Sequence, residues 1–180
     1  MSRLSVPSRD GLDAAGQEIW DRISGPRKGM HGPYLMLMHV PALAEQVAQL
    51  GGFLRFHGSL PGTVRELAVL CTARALNAPF EFYMHRPVAE REGIPADTIE
   101  AVRTNHFELL KGRDRLVANA AVALCRDRQL SDELFQEAVA DLGAKLVVEL
   151  VTLIAFYNTI ADIINCFKVD LPEGAANLFD

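Results

Sequence analysis

Apolar residues recur along this chain at three- and four-residue spacing, and period-2 alternation with β-branched enrichment is hard to find, so the pattern predicts an all-α fold. A first helix is expected over about Ala14 to Ile23, ending before Gly25-Pro26-Arg27-Lys28-Gly29, whose glycines and proline do not continue it. His31-Gly32-Pro33-Tyr34 then leads through Met36 and Met38 to Pro41, which opens a helix carrying Leu43, Val47, Leu50 and Leu54 on one face until Gly58. Ser59-Leu60-Pro61 starts the next helix, with Val64, Leu67, Ala68, Cys71 and Ala75 as its apolar stripe and Glu66 off that stripe. Asn77 and Pro79 break it. Further helices follow from Pro79 to about Glu92, closed by Gly93, and from Ala96 to about Asn105. Another runs after Gly112 through Leu116, Ala120, Val122 and Ala123; Ser131 caps the next, and Gly143 separates that from a long C-terminal helix. The tail from Lys168 to Asp180, acidic and containing Pro172 and Gly174, is expected to be loosely held.

Composition narrows the picture. The 180 residues are 49% hydrophobic with a formal net charge of -5, which suits one domain over 1–180 with an ordinary core. Lys and Arg are scattered, so neither nucleic acid nor an anionic membrane surface finds a basic footprint. The most apolar stretch, Leu146 to Ile164, is interrupted by Glu149, Asn158 and Asp162 and reads as a buried helix, not a membrane span. Met1 to Pro7 lacks the apolar core of a signal peptide, and a cytoplasmic location is the expectation. Cys71, Cys125 and Cys166 are odd in number, far apart and in apolar surroundings, so they read as small buried hydrophobes rather than a disulfide framework, a CxxC pair or a metal knuckle.

Candidate chemistry concentrates between Arg65-Glu66-Leu67 and Phe80-Glu81-Phe82-Tyr83-Met84-His85. Two carboxylates and an imidazole near one helix junction are the parts of a proton-transfer site. A structural reading stands beside this one. Glu81 falls in a first helical turn, where the dipole and free amides favour a carboxylate; Thr63 to Glu66 fits a capping box; and Glu81 with His85 is an i, i+4 pair. The aromatic neighbourhood favours chemistry, because desolvation there moves both groups toward a useful range. On that reading the helix N-terminus keeps Glu81 ionised as base, and His85 donates and returns the proton.

At these residues the sequence resembles the carboxymuconolactone decarboxylase family, whose superfamily includes the alkylhydroperoxidase D proteins. The resemblance rests on Pro33-Tyr34, His39-Val40-Pro41, Arg65 to Leu70 with Ala73-Arg74, Glu81 to His85 with Ala89 and Gly93, Ser131 to Phe135, Val148 to Val151 and Tyr157-Asn158. In the peroxidase branch a glutamate precedes a CxxC pair and a histidine follows it. Glu66 and His85 match these, but Ala78 and Glu81 stand at the two cysteine positions. The decarboxylase branch also lacks the cysteines and carries a glutamate and histidine corresponding to Glu81 and His85; its frequent further histidine is Phe80 here.

The resemblance implies an alkylhydroperoxidase D-like helical domain around a central antiparallel helix pair, assembled as a trimer or hexamer with sites near the interfaces. It implies a cofactor-independent lyase of aromatic catabolism, with Glu66, Glu81 and His85 catalytic and no metal, acting on a small carboxylated ring or lactone. Tyr34, Arg74, Tyr83 and Asn158 are the expected substrate contacts, with Arg86, His39 and His57 as further pocket candidates. An apolar C-terminal helix from Leu146 to Leu153 independently favours a homo-oligomer. The alternatives are a peroxidase recruiting Cys71, a non-catalytic module that binds a small acid, and a divalent metal site on Glu66, Glu81 and His85.

Overall fold

Among the residues described by the structure, a computed structural model covering 2–27 and 29–179, there are nine α-helices and two short 3-10 turns, and no strand. Met1, Lys28 and Asp180, which the sequence places in the N-terminal segment, the loop after the first helix and the tail, lie outside the described residues. The helices are α1 (Ala14–Arg27), α2 (Pro33–Leu37), α3 (Pro41–Phe56), α4 (Gly62–Ala75), α5 (Pro79–Arg91), α6 (Ala96–Arg103), α7 (Gly112–Arg126), α8 (Asp132–Leu142) and α9 (Ala144–Phe167).

Local chemistry sets most of these ends. Proline opens α2, α3 and α5, at the position where its missing N–H is unpaired anyway. The Ser131 side chain accepts a hydrogen bond from the Leu134 N–H (3.2 Å) at the start of α8. Gly143, at φ 81°, makes the turn into α9 with a backbone angle that a side chain disfavours. α1 runs four residues past the expected Ile23, through Gly25 and Pro26 to Arg27, and the Gly29 N–H donates to the Ser24 carbonyl (2.9 Å).

α4 lies at the centre. It packs against α5, α6, α7 and α9, and buries Val64, Glu66, Leu67, Val69, Leu70, Cys71 and Thr72, so its buried positions encircle the helix. A stripe reading assumes one wet face, and α4 has none, which is why Glu66 is interior rather than off to the side. The Thr63–Glu66 capping box is absent for the same reason: α4 starts at Gly62 behind Pro61 without a side-chain cap, and Glu66 points inward. α5 returns antiparallel to α4. At the turn the Ala78 N–H donates to the Ala73 carbonyl (2.8 Å), and one helix length away Arg65 reaches Glu92 (3.2 Å).

α9 is long and apolar enough to cross a membrane by length and composition, and 56% of that apolar window is buried inside the fold. Leu150, Leu153 and Ile154 are almost wholly enclosed, worth about 1.5–3 kcal/mol each for removal from water. The tail is held, contrary to the expectation from its composition. Its apolar residues Val169, Leu171, Leu178 and Phe179 pack on the core; the Phe179 ring meets Phe82 edge-on at 5.1 Å, and Arg103 donates to the Leu178 carbonyl (2.7 Å).

Candidate active site

α4 and α5 bring the three sequence-predicted groups into contact. Glu66, Glu81 and His85 are 1%, 6% and 5% exposed, respectively. His85 Nδ1 lies 2.7 Å from Glu66 Oε2, and Arg65 Nε donates to Glu66 Oε1 (2.9 Å). The other imidazole nitrogen, Nε2, faces the Tyr157 hydroxyl of α9 at 3.1 Å and Glu81 Oε2 at 3.5 Å. The Tyr157 ring also packs edge-on against the imidazole, with centroids 5.1 Å apart.

Burial pushes the Glu66 carboxyl upward, but its hydrogen bond and attraction to His85, together with Arg65, outweigh this and hold it below the ordinary carboxyl value. It stays ionised. A carboxylate only accepts, so Nδ1 carries the hydrogen that meets Glu66, and Nε2 faces the Tyr157 hydroxyl. Glu81 moves the other way: burial raises it, only partly opposed by the charges of His85 and Arg55. Burial likewise holds the Tyr157 phenol well above its ordinary value, with the charge of Glu81 adding to it.

For Glu81 this is the reverse of the direction expected from the helix dipole. The helix dipole contributes about 0.3–1 kcal/mol toward ionising a first-turn carboxylate, whereas desolvating an ion costs several kcal/mol. Desolvation wins at Glu81, while Glu66 holds the His85 imidazole in place.

Glu81, His85 and Tyr157 face a cavity of about 280 Å³. α3 contributes Gly51, Arg55 and Phe56 to it; the segment through α2 gives His31, Pro33 and Tyr34; α5 adds Phe80 and Met84, and α9 adds Phe156 and Ile160. Two glycines make room for the walls. A Cβ on Gly51 would lie 2.7 Å from the Phe156 ring and 3.2 Å from the Tyr34 hydroxyl, and one on Gly32 would collide with the Phe80 ring.

Tyr34 is therefore at the cavity, while Arg74, Tyr83 and Asn158 are elsewhere. Arg74 is eight residues beyond Glu66, about 12 Å along the helix, and its guanidinium stacks 4.7 Å over the Phe179 ring. Tyr83 is two residues from both Glu81 and His85, which turns it to the opposite side of α5, into a groove with Arg86, Pro87 and Leu178. Asn158 is a further 100° or so around α9 from Tyr157; it accepts from Arg128 (2.9 Å) and donates to the Ile154 carbonyl (3.0 Å). Arg86 pairs with Glu90, His39 Nε2 is 3.0 Å from the Ser5 carbonyl, and His57 ends α3. Tyr157 and Arg55 were not among the expected site residues. The available signal for Tyr157 was a phenol on an apolar helix that needs a partner. Among the described residues no group of three His, Cys, Asp or Glu is arranged to hold a metal ion.

A solved structure of an alkylhydroperoxidase AhpD core, an uncharacterised peroxidase-related protein from Ralstonia eutropha JMP134, superimposes with a TM-score of 0.80 at 16% identity, over 99% of this chain and 94% of that one. The chain has the AhpD-core fold. The debrominase Bmp8 shares it: a cysteine-to-alanine form of that protein, in complex with 2,3,4-tribromopyrrole, matches with a TM-score of 0.73 at 13% identity, over 96% of this chain and 95% of that one. The apo form of Bmp8 gives a TM-score of 0.72 at 13% identity, over 96% and 94%. No model of a known protein family matches the chain, and no curated protein matches its sequence.

Proposed function

We propose that the protein is a cofactor-independent enzyme of carboxymuconolactone decarboxylase type, acting by general acid and base catalysis on a small carboxylated ring or lactone. The observation that carries this reading is the buried relay from Glu66 through His85 to Glu81 and Tyr157, opening into an apolar cavity. A carboxylate that orients an imidazole, whose second nitrogen faces the cavity, is an arrangement that positions a base. A carboxyl whose pKa burial raises is a matched acid.

In decarboxylation, the carbon–carboxylate bond breaks and its electron pair passes into the adjacent carbonyl as an enolate. The Tyr157 hydroxyl donates a hydrogen bond to the forming oxyanion, Glu81 as the acid delivers its proton to carbon, and solvent reprotonates the Glu81 carboxylate by way of His85. In lactone conversion His85 Nε2 takes the proton next to the carbonyl, the electron pair passes into the carbonyl as an enolate, and Glu81 returns a proton to carbon.

Thiol peroxidase chemistry finds less support. A thiolate nucleophile is required, yet Cys71 and Cys125 are buried outside the cavity lining and burial pushes both thiols up. Cys166 is exposed, away from the cavity.

We also infer a homo-oligomer. Most of α9 is covered within the chain, and the unpartnered apolar surface is instead on α3, where Leu43, Leu50, Phe53 and Phe56 are all exposed. Phe56 lines the cavity as well, so a second copy seated there would shield its mouth from water.

The test is turnover of a panel of small carboxylated lactones and β-keto acids, followed by mass spectrometry, with native protein, His85→Gln and Glu81→Gln. Consumption of one compound by native protein alone supports the reading. Equal consumption by all three, or by none, overturns it.

A further inference from the structure

Arg55 is set apart from the other cations near the site. Several arginines of the fold are paired with carboxylates: Arg9 with Asp21, Arg22 with Glu45, Arg65 with Glu66 and Glu92, Arg103 with Glu100. Arg55, in the last turn of α3, lines the cavity, stacks 5.0 Å over the Phe56 ring, and has no ion pair among the described residues. The relay beneath it is already balanced, since the Glu66 charge is taken by His85 and Arg65. Arg55 thus brings a positive charge to the mostly apolar cavity, where it acts on Glu81 without forming an ion pair with it. A guanidinium there awaits an anion, which it can grip in two parallel hydrogen bonds.

We propose that Arg55 is the substrate-anion anchor of this cavity, holding one acidic group of a ring whose apolar body lies against Phe80, Phe156 and Ile160, and that this acidic group is retained in the reaction. The second half follows from electrostatics. A carboxylate that is to leave as carbon dioxide loses its charge, so pairing it with a guanidinium stabilises the ground state over the transition state. The anchored group therefore sits away from the reacting atoms, which belong at Glu81 and His85. The stack on Phe56 limits the motion of the guanidinium and fixes the anchoring direction. Arg55 is in this sense a specificity-determining residue, and the assignment rests on the acid and base reading of the site.

Equilibrium binding tests it without turnover. Calorimetric titration of the native protein, Arg55→Gln and Arg55→Lys with benzoate, and with its neutral twin benzamide, separates charge from shape. The expected result is benzoate binding to native protein that weakens at least about ten-fold in Arg55→Gln and recovers in part in Arg55→Lys, with benzamide unchanged between the three. No benzoate binding to native protein, unchanged benzoate affinity in Arg55→Gln, or equal loss for both ligands overturns the anchor. If a turned-over substrate is in hand, Arg55→Gln raises KM and leaves kcat near native; a fall in kcat at constant KM would place Arg55 on the reacting end and overturn the retained-group assignment. Failure of the turnover panel with intact benzoate discrimination would defeat the proposed reaction and leave the anchor standing.

Discussion

Replacing Glu81 by Gln should stabilise the protein at neutral pH while abolishing its activity, with a pH dependence that identifies the cause. Glu81 is buried at 6% exposure with its pKa raised by desolvation, so its folded value lies above the ordinary 4.5. Below that ordinary value both folded and unfolded chains hold the proton, and Glu81 contributes no pH dependence. Between the unfolded and folded values the folded chain holds one proton more than the unfolded chain, so stability falls as pH rises. A whole proton of difference gives a slope of about 1.4 kcal/mol per pH unit, the upper limit for one group. Gln keeps the shape, does not titrate, and removes that slope. Urea unfolding of native and Glu81→Gln protein from pH 4 to 8 measures it: their difference should move progressively in favour of the variant above about pH 4.5.

The neighbouring carboxylate supplies an internal control. Glu66 has its pKa lowered, net of a burial effect that opposes the lowering, by His85 and Arg65. The stability it contributes is complete above the ordinary 4.5 and is lost as pH falls through its depressed folded value. Glu66→Gln should therefore lower stability by a constant amount across pH 5 to 8, about 1.5–3 kcal/mol for charge-assisted hydrogen bonds given up in the interior. A native-minus-Glu81→Gln difference that is flat with pH, or that grows in favour of native protein, would mean that Glu81 is ionised in the fold. The acid and base assignment would then be refuted.

Three further outcomes are expected. Tyr157→Phe removes the hydroxyl that meets His85 Nε2 (3.1 Å) without disturbing the ring contact at 5.1 Å; stability should shift by no more than about 1.5 kcal/mol, while turnover by the native assay falls, and unchanged turnover would remove Tyr157 from the relay. Under native conditions a thiol reagent should label Cys166 quickly and Cys71 and Cys125 only on unfolding, since those two are buried with raised pKa values; fast labelling of Cys71 with loss of activity would revive thiol chemistry. Phe53→Glu places a charge in the exposed α3 face, and light scattering behind size exclusion should show a smaller species than native protein; a native monomer would refute the self-association.

What sequence could deliver here was set by the range of the interaction. Proline starts, the Ser131 cap and the Gly143 turn are local and read directly from residue types, as does the Glu81–His85 spacing within one helix. The Glu66–His85 contact at 2.7 Å spans nineteen residues and depends on α4 being enclosed on all sides, whereas periodicity assumes a wet face and so put Glu66 outside the stripe. Tyr157 reaches His85 from seventy-two residues away, which no spacing rule can encode. Arg74 shows the opposite failure: it lies on the right helix beside a resembling motif, yet it stacks against Phe179 of a tail whose composition suggested a loose end. A guanidinium near a site motif was legible, but not which one. Both guanidinium groups stack on an aromatic ring of their own chain, Arg74 on Phe179 and Arg55 on Phe56, and what separates them is that Arg55 lines the cavity and Arg74 does not.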